Sequence, residues 1–84
     1  MSERQKMNVE IYGQFYTLRV APEDKANVEK IARRVDEMMR QVGGGQSHLD
    51  YRDVAVLAAM NIAEEYFKLQ KEYQELVTIL DDEK

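Results

Sequence analysis

The sequence has no cysteine and no tryptophan, and only one histidine and one proline, in 84 residues. Without cysteine there is neither a disulfide nor a thiolate metal site, which fits a reducing compartment. His48 alone cannot build a histidine-rich metal centre. No stretch approaches the ~20 consecutive apolar residues that a spanning helix needs. The opening MSERQK is polar and leads into no apolar signal core. Cations are not in excess: 12 Lys and Arg stand against 16 Asp and Glu, a formal charge of -4. A nucleic-acid-binding domain usually carries the opposite balance. No glycine loop is followed by Lys-Ser/Thr, and no nucleophile–base constellation or metal cluster is visible. The expectation is therefore a cytoplasmic, acidic, non-enzymatic protein. It has no cofactor, no catalytic residue, no metal, and neither nucleic acid nor membrane as partner.

A chain of this length is marginal for burying a core alone. Small scaffolds are reinforced by disulfides, by a metal or by a partner chain, and here only the partner chain is left.

What is present divides into four pieces. In MNVEIYGQFYTLRV, at 7–20, Met7, Val9 and Ile11 alternate with Asn8, Glu10 and Tyr12, and Tyr16, Leu18 and Val20 alternate with Phe15, Thr17 and Arg19. Period-two alternation predicts two half-buried strands. Gly13-Gln14 suits a two-residue II′ turn with glycine first. That register sets Ile11 opposite Tyr16, Val9 opposite Leu18, and Tyr12 opposite Phe15 on the outer face. The Tyr12–Phe15 pair is either cross-strand stabilisation or a contact with another chain. A lone hairpin is barely stable in water, so helices must cover one face.

Residues 22–42 read as a helix. Pro22 suits a first turn, and Glu23 and Asp24 suit the positive end of the dipole. Val28, Ile31, Ala32, Val35, Met38, Met39 and Val42 form one apolar stripe. GGGQSH then supplies C-cap glycines and a flexible link, with His48 as a loop residue or helix-end contact.

The last helix starts at 50, with Asp50 as N-cap and Asp53 three residues on, as in a capping box. From there on the sequence has no proline or glycine. Over 54–63 it is apolar on most of its circumference, which predicts burial on most sides, partly by another chain. Asn61 interrupts this, either capping local groups or pairing across chains. Ala55, Ala59, Ile62, Tyr66, Leu69, Tyr73, Leu76 and Leu80 then follow a four-three spacing, an unbroken a/d seam. Such a seam is not stable alone in water, so the chain is expected to be a homo-oligomer. Tyr66 and Tyr73 at a positions, with Val77 and Ile79 widening the face, favour more than two helices.

The predicted fold class is α+β: an N-terminal β-hairpin packed on a helix, then a long C-terminal helix forming a coiled coil. The division is a flexible tail at 1–6, a globular head at 7–63 and a coiled-coil stalk at 64–84. Within the head lie the hairpin 7–20, helix 22–42, loop 43–49 and the start of the long helix, 50–63. Oligomerisation is assigned to Leu57, Asn61, Ile62, Tyr66, Leu69, Tyr73, Leu76 and Leu80.

VEIYGQFYTLRV at the hairpin, IARRVDEMM in the first helix and above all RDVAVLAAMNIAEEYFKL in the second resemble the ZapA family of bacterial cell-division proteins, over about residues 7–70. The chain is similar to the shorter form of that family, and Gly43-Gly44-Gly45 is a local departure. The resemblance implies a protein at the midcell division ring that binds FtsZ, a tubulin-like GTPase, and bundles its filaments. It also implies dimers that pair into tetramers, without catalysis. The expected FtsZ-binding residues are exposed head charges: Arg19, Arg33, Glu37, Arg40 and Arg52. The alternative is a coiled-coil adaptor of the same architecture for a different cytoplasmic partner.

Overall fold

The structure, a computed structural model, describes residues 3–44 and 48–82. It is α+β. Strands β1 (Gln5–Ile11) and β2 (Gln14–Val20) form an antiparallel hairpin. A 3-10 turn at Pro22–Asp24 leads into α1 (Lys25–Gly43), and α2 (Tyr51–Asp82) follows.

The hairpin closes one residue earlier than expected. Ile11 pairs with Gln14, Val9 with Tyr16, Met7 with Leu18 and Glu10 with Phe15. The turn residues are thus Tyr12 and Gly13, not Gly13 and Gln14. Tyr12 has φ 51° and Gly13 φ 79°, the two positive values that a I′ turn demands and a II′ turn does not. A tyrosine at positive φ is uncommon, and tertiary contacts hold it there. Its N–H donates to Oδ1 of Asp36 over 2.7 Å, and its ring lies 5.9 Å from that of Tyr51. Tyr12 therefore turns into the head and does not pair with Phe15. The register moves by two residues, and a two-residue slip keeps every side chain on its face. The paired residues keep their expected faces, but Tyr12 leaves the outer set for the head, and on the inner face of β2 Tyr16 and Leu18 stay exposed.

Strand β1 also starts inside the expected tail, at Gln5, because β2 runs to Val20 and Gln5 and Lys6 pair with Val20 and Arg19. Pro22 begins a 3-10 turn closed by Asp24 N–H on the Ala21 carbonyl at 2.9 Å, so regular α-helix begins three residues later than Pro22. At its other end α1 includes Gly43, and Gly44 is extended (φ -64°, ψ 126°). No left-handed glycine cap forms there. Gly43 serves a different need: a Cβ on it would meet Tyr12 Oη at 2.5 Å and Val54 Cγ2 at 3.1 Å. Gly45, the last glycine of the expected link, lies outside the described residues. Asp50 caps α2 as expected, its Oδ1 accepting the Asp53 N–H at 2.9 Å.

The core is small. Met38 and Met39 of α1 and Val54 and Ala58 of α2 are buried together, with Tyr12, Leu49, Tyr51 and Ile62 packed around them. Methionine suits such a junction because its unbranched side chain fills irregular gaps. Val9 and Ala32, on β1 and α1, complete the buried apolar set among the described residues. Ile31, expected in the stripe of α1, is 53% exposed. The radius of gyration is 17.3 Å, against about 12 Å for a compact domain of this length. The 32 residues of α2 span about 48 Å at 1.5 Å per residue.

Candidate partner-binding and assembly surfaces

Helix α2 meets the rest of the chain on one narrow strip. Val54 and Ala58, four apart, are buried, and Ala55 and Ile62 are half-buried beside them. Val56, Leu57 and Met60 point elsewhere and stay exposed, Leu57 at 41%. Asn61 is exposed as well. The apolar girdle at 54–63 is therefore only partly covered by its own chain. The strip ends in an ion pair, where Arg34 Nη2 lies 2.6 and 2.9 Å from the two carboxylate oxygens of Glu65. A half-exposed pair of this kind is worth about 0.2–1 kcal/mol, so it marks where α1 stops guiding α2 more than it holds the two together.

Beyond Glu65 the described residues of α2 touch solvent on every side. Tyr66, Leu69, Tyr73, Leu76 and Leu80 form an exposed line at four-three spacing, with Val77 and Ile79 beside it. Phe67, off that spacing, stacks edge-on against Tyr66 at 5.4 Å between centroids. Fully burying one such side chain is worth about 1.5–3 kcal/mol, so this stripe is an apolar surface in need of cover.

The head charges fall into separate groups. Arg33, Glu37 and Arg40 follow one another along α1. Arg33 lies 3.8 Å from Glu29 and lines a shallow cleft of about 380 Å³ between β1 and α1 with Met7, Glu10 and Asp36. Arg40 is committed within the chain, its Nε donating to Oδ2 of Asp36 at 3.0 Å. That bond, and then the Tyr12 N–H, hold the Asp36 carboxyl below the usual carboxylate range, and the same pairing raises Arg40. Arg40 thus braces the carboxylate that holds the hairpin turn. Arg19 stands elsewhere, opposite Lys6 on the outer hairpin face, and lines a second cleft with Arg4, Asp24 and Asn27. Arg52 is exposed in the first turn of α2. The five expected residues do not converge on one pocket. Among the described residues no group of three or more His, Asp or Glu side chains is placed to hold a metal, and no helix is long and apolar enough to cross a membrane.

Sequence reasoning missed the bracing system of Tyr12, Asp36, Tyr16 and Tyr51. The hydroxyls of Tyr16 and Tyr51 lie 2.5 Å apart, and Tyr51 Oη also donates to the Ile11 carbonyl at 3.3 Å. The hydrogen bond to Tyr16, with burial second, pushes the Tyr51 hydroxyl up to about 12. No spacing rule links these residues, because the bonds join positions 24 to 40 apart.

A hairpin clamped to a short helix, with a second helix running out of the head, is also the arrangement of known proteins. The family model described as Cell division protein ZapA matches residues 7–83. The chain belongs to the ZapA family of cell division proteins. Cell division protein ZapA of a Geobacillus strain is 41% identical over 86 residues, covering 100% of this chain and 98% of the relative. Among solved structures, a ZapA mutant dimer from Geobacillus stearothermophilus superposes with a TM-score of 0.69 at 40% identity, covering 96% of this chain and 93% of that one. An unknown conserved bacterial protein from Pseudomonas aeruginosa PAO1 shares the fold, with a TM-score of 0.79 at 23% identity over 93% of this chain and 86% of its own.

Proposed function

We propose that this ZapA-family chain is a non-enzymatic crosslinker of FtsZ filaments, acting in the cytoplasm at the midcell division ring. The observation that carries the reading is the exposed apolar stripe of α2 from Tyr66 to Leu80 in a family member. Such a stripe calls for another helix, and the dimeric relative from Geobacillus stearothermophilus supports a second copy as its source. In this reading residues 7–63 are the head and 64–84 the stalk, and dimers pair through stalks into tetramers. Leu57, Asn61 and Ile62 meet the partner chain at the base of the stalk, and Tyr66, Leu69, Tyr73, Leu76 and Leu80 along it.

The heads bind FtsZ. Arg19, Arg33, Glu37 and Arg52 are the exposed charges on rigid elements that contact it, while Arg40 acts through Asp36 by keeping the hairpin in place. Joining weak heads on one rigid body raises effective concentration without any tighter single contact. A filament repeats its site along its length and multiplies that gain.

Sedimentation of purified FtsZ filaments with and without the protein tests the reading. The protein should pellet with filaments and increase light scattering. Reversing the charge of Arg19, Arg33, Glu37 or Arg52 singly should weaken co-sedimentation with the fold intact. Full binding by all four variants would overturn the site, and absence of binding by the parent would overturn the function.

A further inference from the structure

Among the described residues the outer edge of β2 is bare. Strand β2 is exposed at every position before Val20, and Phe15 is 75% exposed. Among the described residues no backbone hydrogen bond outside the hairpin reaches it. The register decides which groups face outward. A two-residue turn is closed by a pair that exchanges both hydrogen bonds, here Ile11 and Gln14, and such pairs alternate along the ladder. Gln14, Tyr16, Leu18 and Val20 therefore aim their N–H and C=O groups at β1. Phe15, Thr17 and Arg19 aim theirs at the free edge.

Natural edges are blunted by bulges, proline, charged side chains, lysine above all, or short length. This one has seven residues in unbroken register without proline or lysine, and Arg19 is its one charge. Its sequence, QFYTLRV, is complementary to itself about Thr17. Laid antiparallel on a second copy, Thr17 meets Thr17, and Phe15 meets Arg19 twice. Tyr16 meets Leu18 twice on the inner face. The hydrogen-bonding parity agrees, since Phe15, Thr17 and Arg19 are the residues with outward groups on both strands. The Phe15 and Arg19 contacts are cation–π pairs. They also answer a local conflict, because Arg19 stands opposite Lys6 within the hairpin and like charges directly across a sheet repel.

We propose that the free edge of β2 is a self-association surface distinct from α2. Here β2 of a second copy pairs antiparallel about a two-fold axis at Thr17, extending the hairpin into a four-stranded sheet. A two-fold contact uses the same patch on both copies, which an edge complementary to itself satisfies and an unrelated peptide does not require.

The natural sequence has no cysteine, so Thr17→Cys in the full chain carries a unique thiol. Across a hydrogen-bonded pair the Cα atoms are about 5.5 Å apart, within the span of a disulfide. Asn8→Cys, on β1 beside Thr17, is the control, because three strand spacings of about 4.8 Å separate the two copies there. Under mild oxidation Thr17→Cys should become mostly covalent dimer and Asn8→Cys should stay single-chain. In the unmodified protein the amides of Phe15, Thr17 and Arg19 should exchange with deuterium as slowly as those of Tyr16 and Leu18. No more crosslinking by Thr17→Cys than by Asn8→Cys, or fast exchange at all three amides, overturns the proposal. Either result would be expected if the edge awaits a different protein.

Discussion

The backbone N–H of Tyr12 donates to Oδ1 of Asp36 across 2.7 Å and 24 residues of sequence. This bond ties a left-handed turn residue to the middle of α1, while Arg40 holds the other carboxylate oxygen. Tyr51 ties the same hairpin to α2 through the Tyr16 hydroxyl and the Ile11 carbonyl, so Asp36 is one of the two helical contacts that set where β2 lies.

Asp36→Asn should lower the melting temperature and loosen the hairpin turn. The pH dependence follows from the same bonds. The folded-state pKa of Asp36 lies below its ordinary value of 3.8, so its stabilisation is fully present above that value and is lost as pH falls through the depressed one. Thermal melts of parent and variant from about pH 6 down to about pH 2 should show a difference that closes only at the acid end. A constant difference would show that the charge of Asp36 plays no part.

Gly43→Ala should destabilise the chain although alanine favours helix by roughly 0.5–1 kcal/mol. The added Cβ would press on Tyr12 Oη at 2.5 Å and on Val54 Cγ2 at 3.1 Å, and overpacking of this kind costs about 1–3 kcal/mol. Tyr12→Phe removes the nearest atom. Urea unfolding of both single variants and the double variant should show Gly43→Ala costing less in the Tyr12→Phe background. Equal cost in both backgrounds would place the conflict elsewhere.

Tyr51 should ionise late. Its hydroxyl is pushed from 10.0 to about 12, first by the hydrogen bond to Tyr16. A raised folded-state value means that the associated stability is present below 10.0 and falls away as pH rises through about 12. Absorbance titration at alkaline pH should show a late tyrosine step, and Tyr51→Phe should remove it. A titration unchanged by the variant would assign the late ionisation to another ring.

Leu69→Glu with Leu76→Glu should remove assembly through the distal part of α2 while sparing the head. The two side chains are 65% and 56% exposed in the single chain, so they add nothing to its core, and each is worth about 1.5–3 kcal/mol once covered by a partner helix. Circular dichroism should keep the signature of a folded head, and analytical ultracentrifugation should show loss of tetramer. Bundling of FtsZ filaments should fall further than binding. Tetramers of parental stability would move the assembly surface off this stripe.

Several features were legible without coordinates because their causes are local. The alternation of Met7, Val9 and Ile11 with polar neighbours sorts the faces of β1, and Asp50 three residues ahead of Asp53 marks where α2 starts. The absence of glycine and proline after Asp50 lets that helix run on, and the four-three spacing of Tyr66, Leu69, Tyr73, Leu76 and Leu80 draws its stripe. Each of these depends on neighbours within one or two turns. The hairpin turn is different. Local chemistry favours glycine as the first turn residue and disfavours tyrosine at positive φ, so Gly13-Gln14 is the better turn for an isolated hairpin. In the folded chain the turn is Tyr12-Gly13, because Asp36 accepts the Tyr12 N–H, Tyr51 packs on its ring, and Gly43 leaves room for its hydroxyl. Those partners come from α1 and α2, far along the chain. The same holds for Gly43, which reads locally as a helix terminator and proves to be a clearance, and for Arg34, an ordinary surface cation until α2 brings Glu65 beside it. Local periodicity could place the faces and the helices. Which residue turns the hairpin, and which carboxylate holds it, was decided only when distant segments packed together.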